Sequence, residues 1–554
     1  MRPILTAAQM REVDRLTTER YGIPSISLME NAALAVARVI KDRFGGSAEG
    51  RSILILCGKG NNGGDGAALG RLLAAENATV ETLLFGNVAV TKGDARMNFE
   101  RAGESAARLT EINSPEEFSA FFDGSAQVFE VVVDAVFGTG LDRPVDGWLG
   151  EVLQKVSDVS EQAQFTLSID IPSGLNADLS DPIGATFKAD TTVTFTAAKT
   201  ANVLPPASTF GGELVIADIG SPQELIEKCS SDTFLAEAAD AGDWLKATRF
   251  STDSYKNKRG HALVIAGSES YSGAAVLAAN AAMRSGVGLV TLAAPRSSLG
   301  LIAPRLLPEV MLRGVTETDD GEISESAFDE IGGLLAKADS IAIGCGLSQS
   351  ESTRRFVEKV VACRRQPMVV DADALNLLSP VSTNWPPAHA GDSDKSALTK
   401  VRASSTLRAA HAGGTALILT PHEGEFMRLL GTTDRAAIKD RVHAVREFAT
   451  THNVILVLKG ERVLIGAPDG RVVVNPTGNS GLGKAGNGDT LTGILAGFAA
   501  QAAVMNIDIF ETVVAAVYVA GLAGDIAESK YGKRVMTASD VRECLADVFA
   551  KFEV

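Results

Sequence analysis

The sequence predicts an α/β protein made of two consecutive halves, each built on a mainly parallel sheet. Short apolar runs such as Ser52–Cys57 (S-I-L-I-L-C) are typical of buried parallel strands, which helices cover on both faces. These runs alternate with helix-length segments, as they do in strand–helix–strand units. Most of the runs end in polar or glycine-bearing turns, and parallel sheets bind their ligands at those strand ends.

The composition narrows the classes of function. The chain has 554 residues, 45% of them hydrophobic, and a formal net charge of −16, which argues against nucleic acid or an anionic membrane as a partner. Its five cysteines are scattered and form no C-x-x-C, so neither a disulfide framework nor a structural zinc site is indicated. The N-terminus lacks an apolar signal core, and no run of about 18 apolar residues is free of charge and glycine. We therefore expect a cytoplasmic protein.

The first half opens with two predicted helices, at 6–19 and 27–43, followed by the strand Ser52–Cys57. That strand leads into G-K-G-N-N-G-G-D-G (58–66) and a helical run, a unit typical of dinucleotide or phosphate binding. It matches neither G-x-G-x-x-G nor a Walker loop. A plain strand-to-helix turn is the alternative, but the two asparagines and the aspartate supply oxygens for a hard cation or a ribose.

Further strands of this half end in polar residues. The strands at 131–133, 166–169 and 192–196 precede Asp134, Asp170 and Lys199, and a fourth lies at 214–216. Because strand ends of a parallel sheet meet at one edge, these three residues are expected to share a site with Asn62 and Asp65. Each aspartate taken alone is more typical of a helix cap, whereas the set favours a site.

The regular succession of predicted strands stops over the polar, alanine-rich stretch 221–252, where we place the domain boundary. A second series of strands then follows. The segment 378–414, rich in Pro, Ser, Ala and His, interrupts that series and is expected to form a surface excursion. The strands of the second series are predicted at 262–266, 288–293, 340–343, 368–370, 416–419 and 454–458.

The second half is organised around a glycine-rich loop, G-N-S-G-L-G-K-A-G-N-G-D-T-L-T-G (478–493). It lies between a strand-like run at 471–474 and a helical run at 491–500. Glycines in that position let backbone N–H groups converge on an anion at a helix N-terminus. Asp489 would then lie beside a bound phosphate and act as a base on a nearby hydroxyl. The alternative is a flexible turn with Asp489 as an N-cap.

These motifs occur together in one known family. The first half carries G-K-G-N-N-G-G-D-G, V-D-A-V-F-G-T-G-L and S-I-D-I-P-S-G-L, and the second carries Y-S-G-A-A-V-L-A-A, D-A-D-A-L-N-L-L, L-T-P-H-E-G-E-F, V-L-K-G and the glycine-rich loop. Over nearly its whole length the chain resembles the bifunctional NAD(P)H-hydrate repair enzymes, in which an NAD(P)HX epimerase is fused to an ADP-dependent NAD(P)HX dehydratase. The resemblance implies a Rossmann-like three-layer domain at 1–235 and a ribokinase-like α/β domain at 245–554.

For the first half, the resemblance implies an epimerase site that interconverts the R and S forms of the hydrates NADHX and NADPHX. It implies that Asn62, Asp134 and Ser173 bind a potassium ion. Asp170 is expected to contact the substrate and is the candidate acid/base, and Lys199 is a second candidate. The residues expected to hold the hydrated nucleotide, besides Asp170, are Asn61, Asn62, Gly63, Gly64, Asp65, Gly138, Thr139, Gly140, Leu141, Asp142, Arg143 and Pro144.

For the second half, the resemblance implies dehydration of the S hydrate to NAD(P)H at the expense of ADP, with release of AMP and phosphate. Asp489 would take the proton of the substrate hydroxyl, and Mg²⁺ would accompany the nucleotide. We also expect a homo-oligomer whose partners are otherwise small molecules. The residues expected to line the NAD(P)HX site are Ala275, Gly346, His422 and Asp489. Those expected to hold the adenine nucleotide are Lys459, Gly460, Glu461, Arg462, Val463 and Gly488.

The chain departs from the family pattern at three places. Glu423 stands in His-Glu-Gly-Glu where the family usually has H-P-G-E, Asn487 replaces the usual Ser or Thr before Gly-Asp, and the excursion at 378–414 is long. One alternative is an ordinary ribokinase-like kinase for a vitamin or sugar, with a regulatory first half. The other is that the first half is a nucleotide-binding or protein-interaction module. Asp170 and the expected potassium ligands argue against it, because simple binding does not need a placed carboxylate.

Overall fold

The structure, a computed structural model, describes residues 1–123, 128–160, 162–230, 232–382, 385 and 416–552. It divides into two compact units, one of residues 2–233 and one of residues 234–554 together with Met1. Most of the predicted excursion at 378–414 lies outside the described residues.

The N-terminal unit is built on a sheet of seven parallel strands in its described part. The strand order is β4-β3-β2-β5-β6-β7-β8, with every neighbouring pair parallel. A two-residue strand, β1, precedes them. The bounds are β1 Arg2–Pro3, β2 Ser52–Cys57, β3 Thr79–Phe85, β4 Arg108–Ile112, β5 Val131–Ala135, β6 Phe165–Ile169, β7 Thr191–Phe195 and β8 Glu213–Ala217.

Helices cover both faces of this sheet, which gives three layers. Along β2, Ile53 and Ile55 pack into a core with α2, α3 and α4, whereas Leu54 and Leu56 pack into a second core with α5 and α6. The helices are α1 Ala7–Tyr21, α2 Ser25–Arg43, α3 Asn61–Ala75, α4 Gly93–Gly103, α5 Pro115–Asp123, α6 Trp148–Ser160, α7 Thr200–Val203 and α8 Gln223–Cys229.

The second unit also has a mainly parallel sheet. Its strand order is β9-β18-β17-β16-β15-β14-β13-β10-β11-β12; the pairs from β12 to β16 are parallel, and β17 pairs antiparallel with β16 and β18. The bounds are β9 Thr233–Leu235, β10 His261–Ile265, β11 Leu289–Pro295, β12 Met311–Val315, β13 Ser340–Ile343, β14 Met368–Val370, β15 Leu417–Leu419, β16 Ile455–Leu458, β17 Leu464–Gly466 and β18 Val472–Val474.

The apolar helices α17 (Asn487–Met505) and α18 (Ile509–Tyr531) form the centre of this unit's helical layer, together with α10 (Ser272–Arg284). A Cβ at Gly493 of α17 would come within 2.0 Å of the Ala278 carbonyl of α10, so glycine allows this close packing. Helix α18 is long and apolar enough to cross a bilayer, but 67% of its most apolar window is buried in the fold, as in a core helix. The helices are α9 Ala238–Ala247, α10 Ser272–Arg284, α11 Leu299–Ile302, α12 Ala327–Leu335, α13 Glu351–Ala362, α14 Ala372–Leu378, α15 Glu423–Leu429, α16 Arg441–His452, α17 Asn487–Met505, α18 Ile509–Tyr531, α19 Ala538–Glu543 and α20 Leu545–Lys551.

The predicted α/β class is confirmed in both halves. The strands Ser52–Cys57, Ser340–Ile343 and Met368–Val370 have their predicted bounds. Two details of the prediction are wrong. The stretch 221–252 is not free of strands, because β9 lies in it, and the helix after the glycine-rich loop begins at Asn487, earlier than predicted.

Candidate active sites

The first candidate site lies at the strand ends of the N-terminal unit and centres on Asp170. Its Oδ1 accepts hydrogen bonds from Lys199 Nζ at 2.7 Å and from Thr194 Oγ1 at 3.0 Å. Lys199 is 1% exposed, so this ion pair is shielded from water. Asp170 has a φ of +67°, a conformation that costs energy for a residue with a Cβ, and its backbone is held by Asn202. The carboxylate is therefore fixed in orientation.

The second oxygen of Asp170 faces the loop that follows β5. Oδ2 accepts from the Thr139 N–H at 3.3 Å. A Cβ at Gly138 would lie 3.1 Å from Asn62 Oδ1 and 3.2 Å from Asp170 Oδ2. Asn62 and Asp170 thus flank the same glycine, close to one another between the loops that follow β2 and β5.

The structure brings two further acidic groups to this site. Burial, followed by the charges of Asp170 and Asp14, raises the pKa of Asp65 well above its ordinary value. Burial also raises the pKa of Asp14 to about 6, with the Lys199 charge opposing and the Asp170 charge adding to the shift. Sequence reasoning gave Asp14 no role. The sequence did contain a signal for it. Met10, Val13, Asp14 and Thr17 have the spacing of one helical face, and Asp14 places an acid on this face, whose other three residues are buried.

The three residues expected to bind potassium are all buried in the same region. Asp134 accepts from Ser173 Oγ at 2.5 Å and from the Ser173 N–H at 2.7 Å, and it pairs in register with Leu56 at the end of β2. The Asn62 amide has a buried nitrogen without a hydrogen-bond partner, and an amide flip would present its oxygen there. Carboxylate, hydroxyl and amide oxygens suit a hard cation, so these side chains fit the expected ion by their chemistry. The ion would add positive charge beside the substrate.

The other residues expected at this site lie on its loops. Asn61 begins α3, and Gly63, Gly64 and Asp65 form its buried first turns. A Cβ at Gly63 would come within 1.8 Å of the Gly58 carbonyl, so this turn requires glycine. The residues that continue the loop after β5 are more exposed: Gly140, Leu141, Asp142, Arg143 and Pro144.

The second candidate site is a cavity of about 520 Å³ in the C-terminal unit. Of the residues expected there, Gly346 and Asp489 line it. Ala275 is fully buried, and its neighbour Ala274 reaches the cavity instead. The lining also includes residues that sequence reasoning did not select: Tyr271, Ser348, Gln349 and Asp373.

Asp489 lies in the first turn of α17, where backbone N–H groups point toward the loop. Burial raises its pKa to about 6, a hydrogen bond from the Cys345 thiol opposes this shift, and the charge of Asp371 adds to it. A carboxylate with such a pKa binds a proton readily yet is mostly ionised at neutral pH. This combination suits a general base.

A partly buried lysine lies beside the same helix N-terminus. Lys459 Nζ donates to Asp371 Oδ1 at 2.7 Å, and Thr492 Oγ1 donates to Asp371 Oδ2 at 2.7 Å. Burial alone would raise the pKa of Asp371, but Lys459 and its other partners hold it below its ordinary value. A Cβ at Gly488 would lie 3.3 Å from Lys459 Nζ, so the ammonium sits beside the glycine-rich loop. The glycine-rich loop, the N-terminus of α17 and the Lys459 ammonium together favour the binding of an anion.

His422, expected to line the hydrate site, is not among the residues that line the cavity; it pairs with Lys459 in a short parallel bridge, and the other expected residues follow Lys459 in the chain. His422 caps α15 by accepting from the Gly424 N–H at 3.0 Å, and Glu425 lies 3.9 Å from Lys459. Gly460 follows Lys459 at a φ of +157°, which only glycine adopts readily. The residues that continue the loop into β17 are Glu461, Arg462 and Val463.

A magnesium ion fits this cavity by the chemistry of its lining. Asp373 and Asp489 both contribute carboxylates, and Mg²⁺ usually binds one or two carboxylates together with substrate phosphates. It would neutralise charge on the nucleotide.

Two protein-family models match this chain. The model for YjeF-related protein N-terminus matches residues 25–201, and the model for NAD(P)H-hydrate dehydratase matches residues 262–389 and 393–546. A bifunctional NAD(P)H-hydrate repair enzyme from Moorella thermoacetica is 37% identical over 99% of this chain and 97% of its own length. Another, from Thermofilum pendens, is 32% identical over 97% of this chain and 94% of its own.

A solved structure is also similar to part of this chain. The ADP/ATP-dependent NAD(P)H-hydrate dehydratase from Bacillus subtilis, co-crystallised with ATP/Mg²⁺, is 30% identical over 55% of this chain and 94% of its own, with a TM-score of 0.43. The family models and the full-length relatives lead to one conclusion: the chain belongs to the family of bifunctional NAD(P)H-hydrate repair enzymes.

Proposed function

We propose that this protein repairs hydrated nicotinamide cofactors in two steps, one at each site. Residues 1–235 epimerise R- and S-NAD(P)HX, and residues 245–554 dehydrate S-NAD(P)HX to NAD(P)H with ADP, releasing AMP and phosphate. The observation that carries the second assignment is the position of Asp489 in the first turn of α17, in the same unit as the partly buried Lys459. That arrangement suits phosphoryl transfer to a hydroxyl.

Dehydration needs a better leaving group than hydroxide. The hydrate carries a hydroxyl at C6 of its reduced nicotinamide ring. Asp489 takes the proton of that hydroxyl as its oxygen attacks the terminal phosphorus of ADP. The N–H groups of the glycine-rich loop and the Lys459 ammonium stabilise charge on the transferring group. Phosphate then leaves from C6, and loss of a ring proton restores the double bond of NAD(P)H.

Magnesium would be held by the nucleotide phosphates together with Asp373 and Asp489. Its role is charge neutralisation. Lys459, Gly460, Glu461, Arg462, Val463 and Gly488 are proposed to hold the nucleotide. Ala275, Gly346, His422 and Asp489 are proposed to line the hydrate site.

Epimerisation exchanges the hydroxyl between the two faces of C6. Asp170, as the acid, protonates the leaving hydroxyl, which departs as water while the ring nitrogen supplies the electron pair. Water then adds to the opposite face and returns its proton to Asp170, so that protons balance over the cycle. Lys199 keeps the carboxylate oriented at 2.7 Å. Asn62, Asp134 and Ser173 are proposed to bind the potassium ion.

The proposed site of action is the cytoplasm, where nicotinamide cofactors and ADP are abundant. The proposed partners are small molecules and further copies of the chain. Size-exclusion chromatography with light scattering tests the homo-oligomer.

An assay on chemically prepared NADHX tests the function. Recovery of NADH absorbance is expected with ADP and Mg²⁺, accompanied by AMP and phosphate, and almost none is expected without nucleotide. Accumulation of a stable phosphorylated product would instead identify an ordinary kinase. A strong preference for ATP would contradict the donor and leave the reaction class intact.

A further inference from the structure

The glycine-rich loop of the second site is docked against one side of helix α18. Thr477 Oγ1 donates to the Tyr518 carbonyl at 2.9 Å, and a Cβ at Gly521 would come within 2.2 Å of the same hydroxyl oxygen. A Cβ at Gly524 would come within 2.8 Å of the Leu482 side chain. These positions of α18 recur every third residue and share one side of the helix, where glycine lets the loop approach closely.

Asp525 follows on this side of α18 and holds the start of the loop with both carboxylate oxygens. Oδ2 accepts from the Gly478 N–H at 3.0 Å, and Oδ1 accepts from Asn479 Nδ2 at 3.1 Å. Asn479 Nδ2 also donates to the Gly524 carbonyl at 3.0 Å, and Asn479 Oδ1 accepts from the Gly481 N–H at 2.9 Å. One charged group thus fixes a backbone N–H and a side chain that in turn fixes the next turn of the loop.

The hydrogen bonds divide the loop into an anchored half (477–483) and an open half (484–489). In the anchored half, N–H groups that donate within the fold are those of Gly478, Gly481, Leu482 and Gly483. In the open half, N–H groups that find no acceptor in the described part of the chain are those of Lys484, Ala485, Gly486, Gly488 and Asp489. The open half therefore has donors to offer to a bound phosphate.

The segment expected to hold the nucleotide is attached to the residues just before the loop. The Arg462 guanidinium donates to the Pro476 carbonyl. The Asn475 N–H donates to the Val463 carbonyl at 2.9 Å. A shift of residues 477–479 would therefore move the open half of the loop relative to the nucleotide segment 459–463.

We propose that Asp525 is a positioning residue of the dehydratase, which fixes Gly478 and Asn479 on α18 and thereby keeps the N–H groups of the open half oriented toward the transferring phosphoryl group. The inference deepens the proposed function and rests on it. These N–H groups act on charge that develops in the transition state. Their misalignment lowers kcat, whereas binding of the hydrate in the cavity does not depend on them.

The experiment compares the full-length wild type with Asp525→Asn in NADH recovery from pure S-NADHX, at saturating ADP and Mg²⁺. Asparagine has nearly the same shape but offers one acceptor oxygen in place of two, so one of the two donors loses its partner. The value of kcat should fall roughly tenfold to 100-fold, as for a small displacement of catalytic groups, and KM for the hydrate should stay within about twofold. An unchanged kcat would overturn the inference alone.

Asp508→Asn is the matched control. Asp508 caps the N-terminus of α18 by accepting from the Glu511 N–H at 2.9 Å, so the same substitution weakens the same helix away from the loop. The two aspartates are roughly 25 Å apart along the helix, at about 1.5 Å per residue. The control should lose thermal stability and keep the kcat and KM of the wild type.

The control also separates the ways in which the inference can fail. An equal loss of kcat in Asp508→Asn and Asp525→Asn would overturn the inference, because weakening of α18 would then explain both. Absence of ADP-dependent NADH recovery in both the wild type and Asp508→Asn would overturn the proposed function, and the inference with it.

A second measurement decides the case if Asp525→Asn fails to fold by circular dichroism. Hydrogen–deuterium exchange of the full-length wild type is followed by mass spectrometry in peptides that cover 477–483 and 484–489, with and without ADP and Mg²⁺. Without nucleotide, the anchored half should exchange more slowly than the open half, and ADP should protect the open half. Equal exchange of the two halves without nucleotide, or no added protection of the open half with ADP, would overturn the proposal.

Discussion

The two sites place an aspartate and a lysine in opposite relationships. In the N-terminal unit, Lys199 binds the candidate acid/base Asp170 directly, at 2.7 Å. In the C-terminal unit, Lys459 binds a different carboxylate, Asp371, also at 2.7 Å, and the candidate base Asp489 has the Cys345 thiol as its hydrogen-bond donor. The difference matches the two proposed chemistries. Asp489, the proposed base for phosphoryl transfer, is not bound by the lysine and so keeps its affinity for a proton. Asp170, the proposed acid/base that exchanges water on the two faces of C6, is held in a fixed orientation by Lys199.

The same contrast explains why the second lysine needs its own carboxylate. Lys459 is proposed to neutralise a transferring phosphoryl group, so it must be present as an ammonium beside the loop. Burial opposes this charge, but Asp371 and Glu425 raise the pKa of Lys459 above its ordinary value. Asp371 thereby stabilises the Lys459 cation, while Asp489 accepts its hydrogen bond from the Cys345 thiol instead.

A large effect is expected from removing this lysine. Lys459→Met should lower the rate of NADH recovery by about 100-fold, as for loss of a group that stabilises transition-state charge. It should also destabilise the unit by about 3 kcal/mol, because Asp371 is left buried without its cation.

The double variant Lys459→Met/Asp371→Asn separates these two effects. It should regain much of the thermal stability, since no buried charge is left unpaired, and yet remain inactive. Recovery of activity together with stability would mean that the lysine has only a structural role.

The next largest effect concerns pH. Because the pKa of Asp489 is raised to about 6, its basic form is lost as the pH falls through that value, and the rate should drop about tenfold per unit below it. The raised pKa also means that ionised Asp489 destabilises the folded state above pH 6, and that this destabilisation disappears as the pH falls toward about 4. Asp489→Asn should therefore be more stable than the wild type at pH 8 by about 1 to 2 kcal/mol, and equal to it near pH 3. Thermal unfolding at both pH values measures this.

The smallest effect concerns the ion of the first site. Epimerisation should be a few-fold faster in potassium chloride than in sodium or choline chloride at equal ionic strength, because the oxygens of Asn62, Asp134 and Ser173 suit a large, weakly held cation. NADH recovery from pure S-NADHX serves as the internal control for general salt effects. Equal epimerisation rates in all three salts would remove the ion from the account.

The sequence predicted the features that depend on local pattern. Fully buried strands such as β2 and β13 were assigned correctly because both of their faces are apolar. Strands β4 and β12 were missed: each lies at an edge of its sheet and has exposed or half-buried residues, which dilute the apolar run. Strands β3 and β17 were missed although they are largely buried, because Glu81 and Thr82 interrupt the apolar run of β3 and β17 is only three residues long. The meeting of Asp170 with Lys199 followed from the rule that strand ends converge.

The sequence did not predict features created by packing between distant elements. The thiol of Cys345, which follows β13, meets Asp489 of α17 only once the sheet and that helix are assembled. Asp371, the first residue of the D-A-D-A-L-N-L-L motif, was given no role, because its partners Lys459 and Thr492 lie far along the chain. Asp14 likewise acquires its environment from strands more than a hundred residues away.

The central claim is that one chain holds two independent catalytic sites. Time-resolved chromatography of R- and S-NADHX with ADP, for Asp489→Asn, Asp170→Asn and their equimolar mixture, tests it most directly. Asp489→Asn should interconvert the epimers and lose about 10²–10⁴-fold of the NADH recovery, as expected for a general base. Asp170→Asn should recover NADH from the S form and leave the R form to spontaneous epimerisation, and the mixture should repair both. If Asp489→Asn, folded by circular dichroism, also stopped epimerisation, a single shared site would have to replace this account.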